Sequence, residues 1–273
     1  MKHLISELST IQKELKEIQS NIFASIITEG VDDPGILKCI FLAGGPGSGK
    51  SYISKQLLPT NFTTINIDDT YEELLKASGL GLKQKDFTAD QLSQAAKLMG
   101  QAQKATKEKL AQSSSERKNL IIDGTGGASK PLLKKKQELE NLGYKCLMLM
   151  IYVSPLVSLE RNQNRDRSLM PGIILRTWRD VNQNINTYKQ AFGDKFVLIN
   201  NDPEDATKGF SLELIKPYFE ASAAKGKPKT PEEQAKSKAE REKINADIKN
   251  MVENLPEFTT IESAKSKINE FIS

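Results

Sequence analysis

In the stretch FLAGGPGSGKSYISKQL, residues 41–57, four glycines and then Lys50 follow a run of apolar residues. Gly44, Gly49, Lys50 and Ser51 fit the pattern G-x-x-x-x-G-K-[ST] without a mismatch. In such a loop the backbone amides cradle phosphate groups, because small residues let the backbone approach phosphate oxygens closely. The apolar run before the loop and the amphipathic segment after it predict a strand–loop–helix unit. We therefore predict a nucleotide-binding loop.

The loop also predicts the cofactors, ATP and Mg²⁺. Lys50 is expected to reach the β- and γ-phosphates of ATP, and the hydroxyl of Ser51 is expected to bind Mg²⁺. The residues predicted to contact the nucleotide are Gly44, Gly45, Pro46, Gly47, Ser48, Gly49, Lys50, Ser51 and Tyr52. Loops of this kind occur in motors, switches and kinases, so the loop alone leaves the reaction open.

Short apolar segments alternate with helical segments over residues 36–220. The apolar segments are rich in Ile, Leu and Val, as parallel strands buried on both faces are. Strands are predicted at residues 37–43, 62–67, 119–123, 145–153 and 196–199. Helices are predicted near residues 50–58, 70–78, 88–112, 130–142, 155–167 and 172–192. This alternation predicts an α/β fold with a doubly wound parallel five-stranded sheet.

Added helices are predicted at both ends of this domain. Residues 1–30 carry an apolar stripe with helical spacing, and residues 221–230 form a linker rich in Gly, Pro and Lys. Residues 231–273 are predicted to form a helical hairpin exposed to solvent. Packing of the N-terminal helix on the body is the simpler expectation, and binding of a partner protein or a second copy is the alternative.

The composition excludes several classes of active site. The chain has 273 residues, a formal net charge of +4, and a single histidine, His3. Catalysis by Ser-His-Asp or Cys-His and histidine-ligated metal sites are therefore excluded. The two cysteines, Cys39 and Cys146, lie in predicted strands and are assigned structural roles. The N-terminus lacks a signal-peptide pattern and no segment is long enough to span a bilayer, which predicts a cytoplasmic protein without a membrane partner.

Acidic residues follow the second and third predicted strands. Asp68 and Asp69 follow the second strand, where a kinase needs a carboxylate to orient and deprotonate an attacking hydroxyl. The alternative is that the pair caps a helix beginning at Thr70. Asp123 ends the third strand, where a carboxylate holds Mg²⁺ in many proteins with this loop. Glycines on either side of Thr125 would let the backbone approach a ligand.

Arginines are concentrated in the segment SPLVSLERNQNRDRSLMPGIILRTW, residues 154–178. Arg161 and Arg165 share one helix face, Arg167 follows, and Arg176 lies beyond a Met-Pro-Gly break. Guanidinium groups near a nucleotide suit the charge that develops on a transferring phosphoryl group. Two arginine-bearing helices joined by a short hinge are typical of a lid, and a solvated charged helix is the alternative.

With these motifs in hand, residues 38–200 resemble the zeta toxins and the kinase domain of phage 5′-hydroxyl polynucleotide kinases. The segments that carry the resemblance are GGPGSGKS, INIDD, IIDGTGG and ERNQNRDRSLMPGIILRTW. The resemblance implies a P-loop kinase of the adenylate-kinase-like type. The polynucleotide-kinase pattern places the catalytic base at Asp68, whereas the zeta-toxin pattern places it at Asp69.

The resemblance also implies roles for residues further along the chain. Arg161 and Arg165 are expected to be catalytic lid residues, and Thr125 is expected to meet the substrate. Asp69, Arg167 and Arg176 are further candidates for binding the substrate.

The sequence thus predicts a kinase that transfers the γ-phosphate of ATP to a hydroxyl. The first acceptor class is a nucleic acid, through a 5′-hydroxyl end or a hydroxymethylated base, and the second is a nucleotide sugar, as in zeta toxins. The competing hypothesis is a nucleotide-gated binding protein without acceptor phosphorylation. Lysines in the insertion between strands two and three could line a nucleic-acid path or form an exposed helix face; they are Lys83, Lys85, Lys97, Lys104, Lys107 and Lys109.

Overall fold

A parallel five-stranded sheet forms the centre of the described part of the protein. The computed structural model describes residues 37–81, 87–164, 169–203, 213 and 231–273. The strands are β1 (Lys38–Ala43), β2 (Thr63–Asn66), β3 (Leu120–Asp123), β4 (Lys145–Tyr152) and β5 (Phe196–Asn200). Their order is β2-β3-β1-β4-β5, and all neighbours are parallel. The predicted α/β fold and its five parallel strands are confirmed.

Helices connect the strands and follow the last of them. They are α1 (Lys50–Leu57), α2 (Ile67–Ala77), α3 (Ala89–Ser115), α4 (Ser129–Asn141), α5 (Pro155–Gln163), α6 (Pro171–Asn182), α7 (Ile185–Phe192), α8 (Pro231–Glu253) and α9 (Ile261–Ile272). Among these helices, none is both long and apolar enough to cross a membrane. The predicted N-terminal helix at 1–30 and the linker at 221–230 lie outside the described residues.

Several helices differ from their predicted bounds: α3 ends at Ser115 rather than near residue 112, and α5 ends at Gln163 rather than near residue 167. Helix α2 begins at Ile67 rather than near Thr70, because Asn66 caps it by accepting a hydrogen bond from the backbone N–H of Asp68 at 2.8 Å. The single helix predicted at 172–192 is two helices. Asn184 lies at their junction and donates to the backbone carbonyl of Asp180 at 2.7 Å, a side-chain bond that competes with continuation of the helix.

Alternate residues of each strand point to opposite faces of the sheet. Because the strands are nearly continuous apolar runs, both faces of the sheet are apolar. Phe41 and Met148 lie on the face covered by α4 to α8, and Leu42 and Leu149 lie on the face covered by α1 and α9. An apolar seam on α6 and α7 is buried in the first core; it comprises Ile174, Trp178, Val181, Ile185, Tyr188 and Phe192.

The two cysteines also lie in this core. Cys39 of β1 and Cys146 of β4 are register partners on neighbouring strands, and both are buried free thiols. Burial is the main reason that the pKa of the Cys39 thiol is well above its usual value. A buried, protonated thiol packs as a small apolar group, which agrees with the structural role predicted for both residues.

The two C-terminal helices pack on opposite faces of the sheet. Ile244 and Ile248 of α8 join the core on the first face, whereas Ala264 and Ile268 of α9 join the core on the second. Between the helices, the backbone N–H of Thr259 donates to the carbonyl of Leu198 in the edge strand β5 at 2.7 Å. The structure therefore differs from the separate solvated hairpin expected for residues 231–273. Helical spacing shows that a helix has an apolar side, but it does not show which surface that side covers.

The insertion between β2 and β3 forms a long helical arm. Helix α3 packs along α2 through a small core that includes Tyr71, Leu75, Ala95 and Ala102. Its lysines at 97, 104, 107 and 109 are all exposed, while Lys83 and Lys85 lie outside the described residues.

Candidate functional site

The phosphate-binding loop joins β1 to α1 at the carboxyl edge of the sheet. Gly47 and Gly49 have φ angles of 73° and 81°, in the left-handed region that favours glycine. A Cβ atom on Gly47 would lie 2.8 Å from the carbonyl oxygen of Ser158, so that position also lacks room for a side chain. Helix α1 begins at Lys50, directly after the loop, and the positive end of its dipole favours an anion there.

The outer side of the loop is held by three hydrogen bonds from other elements. The carbonyls of residues 46–48 accept, in order, from Ser158 Oγ at 2.6 Å, Arg161 Nη1 at 3.2 Å and Asn201 Nδ2 at 2.9 Å. In a trans peptide the N–H points opposite to the C=O. Because the carbonyls of residues 46–48 point toward α5 and the end of β5, the N–H groups of residues 47–49 point away from those elements. Ser158 and Asn201 were not predicted, since no sequence pattern links them to the loop.

Lys50 lies at the start of α1 and reaches back over the loop. Its ammonium donates to the carbonyl of Gly44 at 2.9 Å, and its charge acts on the carboxylate of Asp123. The predicted nucleotide contacts Ser51 and Tyr52 follow on the same helix and are exposed, Tyr52 to 64%.

Asp123 lies beside the loop because of the register of the sheet. Leu42 of β1 and Asn66 of β2 are both register partners of Asp123, so the carboxyl ends of three strands meet there. Burial raises the pKa of the Asp123 carboxyl; the nearby charges of Asp69 and Asp68 add to this increase, while Lys50 and a hydrogen bond from Asn66 oppose it. Three carboxylates and one ammonium thus act on one another at this edge.

One oxygen of Asp123 has the environment of a metal ligand. Oδ2 accepts a hydrogen bond from Asn66 Nδ2 at 2.9 Å, whereas Oδ1 is buried and has no hydrogen-bond partner among the described residues. The described part of the chain holds no cluster of three or more His, Cys, Asp or Glu side chains able to bind a metal. Mg²⁺ is commonly held by one or two protein oxygens together with phosphates and water, so Asp123 Oδ1 and the Ser51 hydroxyl fit it.

The acid pair lies in the first turn of α2, and neither residue is its cap, because Asn66 caps the helix. Both aspartates are exposed. Partial desolvation, followed by the charges of Glu72 and Asp68, raises the pKa of the Asp69 carboxyl, and Lys109 of α3 opposes that increase. The capping alternative for Asp68 and Asp69 is therefore excluded.

The loop after β3 is fixed from both sides. The backbone N–H of Gly44 donates to the carbonyl of Thr125 at 3.1 Å, which ties this loop to the phosphate-binding loop. On the other side, Tyr188 Oη donates to the carbonyl of Gly126 at 2.7 Å, and Asn184 Nδ2 donates to that of Gly127 at 3.0 Å. These bonds hold Thr125 at the site, where it is exposed to solvent.

The hydroxyl of Tyr188 gives the protein a pH-dependent stability. Burial raises its pKa from 10.0 to about 12. The unfolded state then loses this proton at lower pH than the folded state does. The contribution of the Tyr188 hydroxyl to the free energy of unfolding is complete below pH 10. It decreases by up to about 1.4 kcal/mol per pH unit as the pH rises towards 12. In urea unfolding, Tyr188→Phe should reduce this alkaline loss, and the exposed Tyr52→Phe should leave it unchanged. Equal alkaline slopes for Tyr188→Phe and the wild type would contradict the assignment.

The predicted arginines do not all meet at the site. Arg161 contacts the phosphate-binding loop, and its Nη2 also donates to the carbonyl of Asn201 at 2.9 Å. Arg176 turns to α8 instead, where it pairs with Glu240 at 2.7 Å with 52% of its side chain exposed. Arg165 and Arg167 lie outside the described residues. Arg161 is thus the described arginine that the fold brings to the loop.

Comparison with known proteins identifies the family of this chain. The sequence profile described as "Zeta toxin" matches residues 28–192, which is more than half of the chain. No curated protein sequence matches the chain.

Several solved structures are similar to parts of the chain. A structure of the PezAT chromosomal toxin-antitoxin system of Streptococcus pneumoniae is 21% identical, covers 69% of this chain and 77% of its own, and has a TM-score of 0.42. The AvrRxo1-ORF1:-ORF2 complex with ATP is 15% identical, covers 90% and 84%, and has a TM-score of 0.48. A shikimate kinase from Bacteroides thetaiotaomicron is 15% identical, covers 67% and 95%, and has a TM-score of 0.36.

The profile match confirms one half of the resemblance seen in the sequence, while the likeness to polynucleotide kinases stays a prediction. The chain belongs to the zeta toxin family.

Proposed function

We propose that this protein is a kinase that uses ATP and Mg²⁺ to phosphorylate a hydroxyl group. The observation that carries the proposal is the meeting, at one sheet edge, of a phosphate-binding loop with a buried carboxylate oxygen and an acid pair. Asp123 Oδ1 is buried without a hydrogen-bond partner in the described residues, and an ionised buried oxygen is costly unless a cation or a proton meets it.

The loop and its lysine bind the nucleotide in this proposal. The loop, the positive end of α1 and the ammonium of Lys50 hold the β- and γ-phosphates. The hydroxyl of Ser51 and Oδ1 of Asp123 hold Mg²⁺, which when bound neutralises charge on the phosphate oxygens. Arg161, and Arg165 beyond the described residues, neutralise charge that develops on the transferring group.

The transfer itself needs one base. The acceptor oxygen forms a bond to the γ-phosphorus, the bond from that phosphorus to the bridging oxygen of ADP breaks, and the acceptor proton passes to a carboxylate. Asp68 is the first candidate for this carboxylate, since its backbone N–H is bonded to Asn66, which also holds Asp123. Asp69 is the second candidate, because its raised pKa strengthens its affinity for a proton.

Two acceptor classes have support. Exposed lysines along α3 are compatible with a nucleic acid that offers a 5′-hydroxyl or a hydroxymethylated base, although Lys104 pairs with Glu108 at 3.9 Å. Membership of the zeta toxin family supports a nucleotide sugar. Thr125, Asp69 and Arg167 are proposed to contact the acceptor in either case. The pairing of Arg176 with Glu240 gives its proposed substrate role less support.

The test is transfer of labelled γ-phosphate from ATP to a panel of acceptors. The panel holds 5′-hydroxyl DNA, 5′-hydroxyl RNA, hydroxymethyluracil DNA and UDP-N-acetylglucosamine. Label on one acceptor would establish the kinase and identify its acceptor class. Release of free phosphate alone, or ATP binding without turnover, would contradict the proposal and favour the nucleotide-gated binding protein.

The matched variants Asp68→Asn and Asp69→Asn identify the base. Each removes one carboxylate of the pair at nearly constant shape. Loss of a general base costs about 10²- to 10⁴-fold in turnover, and we expect that loss for Asp68→Asn and a smaller one for Asp69→Asn. The reverse order would assign the base to Asp69.

A further inference from the structure

Asn66 joins the acid pair to the buried carboxylate through a single side chain. It is the last residue of β2 and the cap of α2, and it is the register partner of Asp123 on β3. We propose that Asn66 is a positioning residue, which orients the Asp123 carboxylate toward the bound Mg²⁺–nucleotide and fixes the start of α2. The inference rests on the nucleotide and Mg²⁺ binding proposed above and does not require that a hydroxyl be phosphorylated.

The two ends of the Asn66 amide have different partners. Its Oδ1 accepts from the backbone N–H of Asp68 at 2.8 Å, and its Nδ2 donates to Asp123 Oδ2 at 2.9 Å. A backbone N–H can only donate, and an ionised carboxylate can only accept. A side chain between them must therefore carry one acceptor and one donor on a short stem, which an asparagine does. An aspartate or an alanine does not.

The bond from Asn66 also decides which way the Asp123 carboxylate faces. With Oδ2 bonded to Asn66, the carboxylate plane is fixed, and the buried Oδ1 is left for an outside partner. The positive charge of Lys50 acts on the same carboxylate. Without the Asn66 bond, the Asp123 carboxylate would be free to turn toward Lys50 and away from its ligand. Groups that orient a metal ligand in this way typically change metal affinity by about 10- to 100-fold.

A purely structural role for Asn66 makes a different prediction. Ser, Thr and Asp cap helices about as well as Asn, so a cap alone would tolerate Asn66→Ser. The serine hydroxyl can still accept from the backbone of α2. It is too short to replace the amide that reaches Asp123 on the neighbouring strand. Asn66→Ser therefore keeps the cap and removes the bond to Asp123.

The experiment measures the dissociation constant of ATP with Mg²⁺ and with EDTA, without any acceptor. The ratio of the two constants reports how much Mg²⁺ strengthens nucleotide binding. We expect Asn66→Ser to reduce this ratio by about tenfold or more while the constant in EDTA changes by less than about twofold. The matched control is Thr260→Ser, a change of cap residue at α9 that should leave the ratio unchanged. An unchanged ratio in Asn66→Ser would overturn the proposal.

A double-mutant cycle separates positioning from loss of stability. In the background of Asp123→Asn, Asn66→Ser should have no further effect on the ratio, because the residue through which Asn66 acts has been altered. Additive effects of the two changes would overturn the proposal, whatever Asn66→Ser does to the thermal unfolding temperature. The binding measurement contains no acceptor, so its outcome does not depend on the kinase assay. If the protein binds Mg²⁺–ATP but phosphorylates nothing, the kinase proposal fails and the role of Asn66 can still be measured.

Discussion

Lys50→Ala is expected to reduce phosphoryl transfer by about 10³-fold or more. The Lys50 ammonium is bonded to the Gly44 carbonyl at 2.9 Å, so it lies over the loop in which the phosphates are proposed to bind. Phosphoryl transfer depends mainly on positioning and charge neutralisation, and no other lysine of α1 adjoins the loop. Steady-state turnover on the acceptor found by the panel measures the effect.

The matched control for Lys50 lies on the same helix. Lys55 is exposed in the last turn of α1, and Lys55→Ala removes the same charge without touching the loop. We expect Lys55→Ala to retain turnover, and both variants to unfold within about 0.5 kcal/mol of the wild type if Lys50 acts on the nucleotide rather than on the fold. Full turnover in Lys50→Ala would contradict the proposed site.

Trp178→Ala is expected to destabilise the protein by about 3 to 5 kcal/mol. The Trp178 side chain is 1% exposed, packs edge-on against Tyr152 at a centroid distance of 6.0 Å, and donates from Nε1 to the Val153 carbonyl at 2.7 Å. Alanine leaves a cavity and an unpaired buried carbonyl. Since domains have net stabilities of about 5 to 15 kcal/mol, the loss is a large part of the total. Urea unfolding measures it.

Two variants separate packing from hydrogen bonding at Trp178. Trp178→Phe keeps an aromatic ring and loses the bond to Val153, so it should cost less than Trp178→Ala. Met170→Ala, at the exposed cap of the same helix, should change stability by less than about 0.5 kcal/mol. An unfolding free energy of Trp178→Ala close to that of the wild type would contradict the position of α6 in the core.

Local patterns predicted the sheet and the phosphate-binding loop. Parallel strands buried on both faces are nearly continuous apolar runs, and the loop requires glycine where φ is positive, as at Gly47 and Gly49. Asp68, Asp69 and Asp123 were placed after the second and third predicted strands, and the carboxyl ends of parallel strands lie at one edge of a sheet. What the sequence left open was which of the two aspartates is the base.

Contacts between distant segments were not predictable from local patterns. Ser158 and Asn201 hold the phosphate-binding loop from α5 and from beyond β5, and nothing around either residue marks that role. The bond from Asn66 to Asp123 depends on the pairing of β2 with β3, so it required the register of the sheet. Arg161 was singled out for its charge, and its bonds to two backbone carbonyls became visible only in the fold.

The position of α9 has a consequence for how the chain folds. Val197 and Ile199 of β5 share a core with Ala264 and Ile268, residues supplied by a much later part of the sequence. Contacts between segments that are far apart in sequence form slowly, because the entropy of closing the intervening loop is lost first. While the protein is being synthesised, Val197 and Ile199 lack their contacts with Ala264 and Ile268 until α9 has been made. Nascent chains of this protein are therefore expected to need chaperones, and to aggregate if synthesis stalls before Ile261.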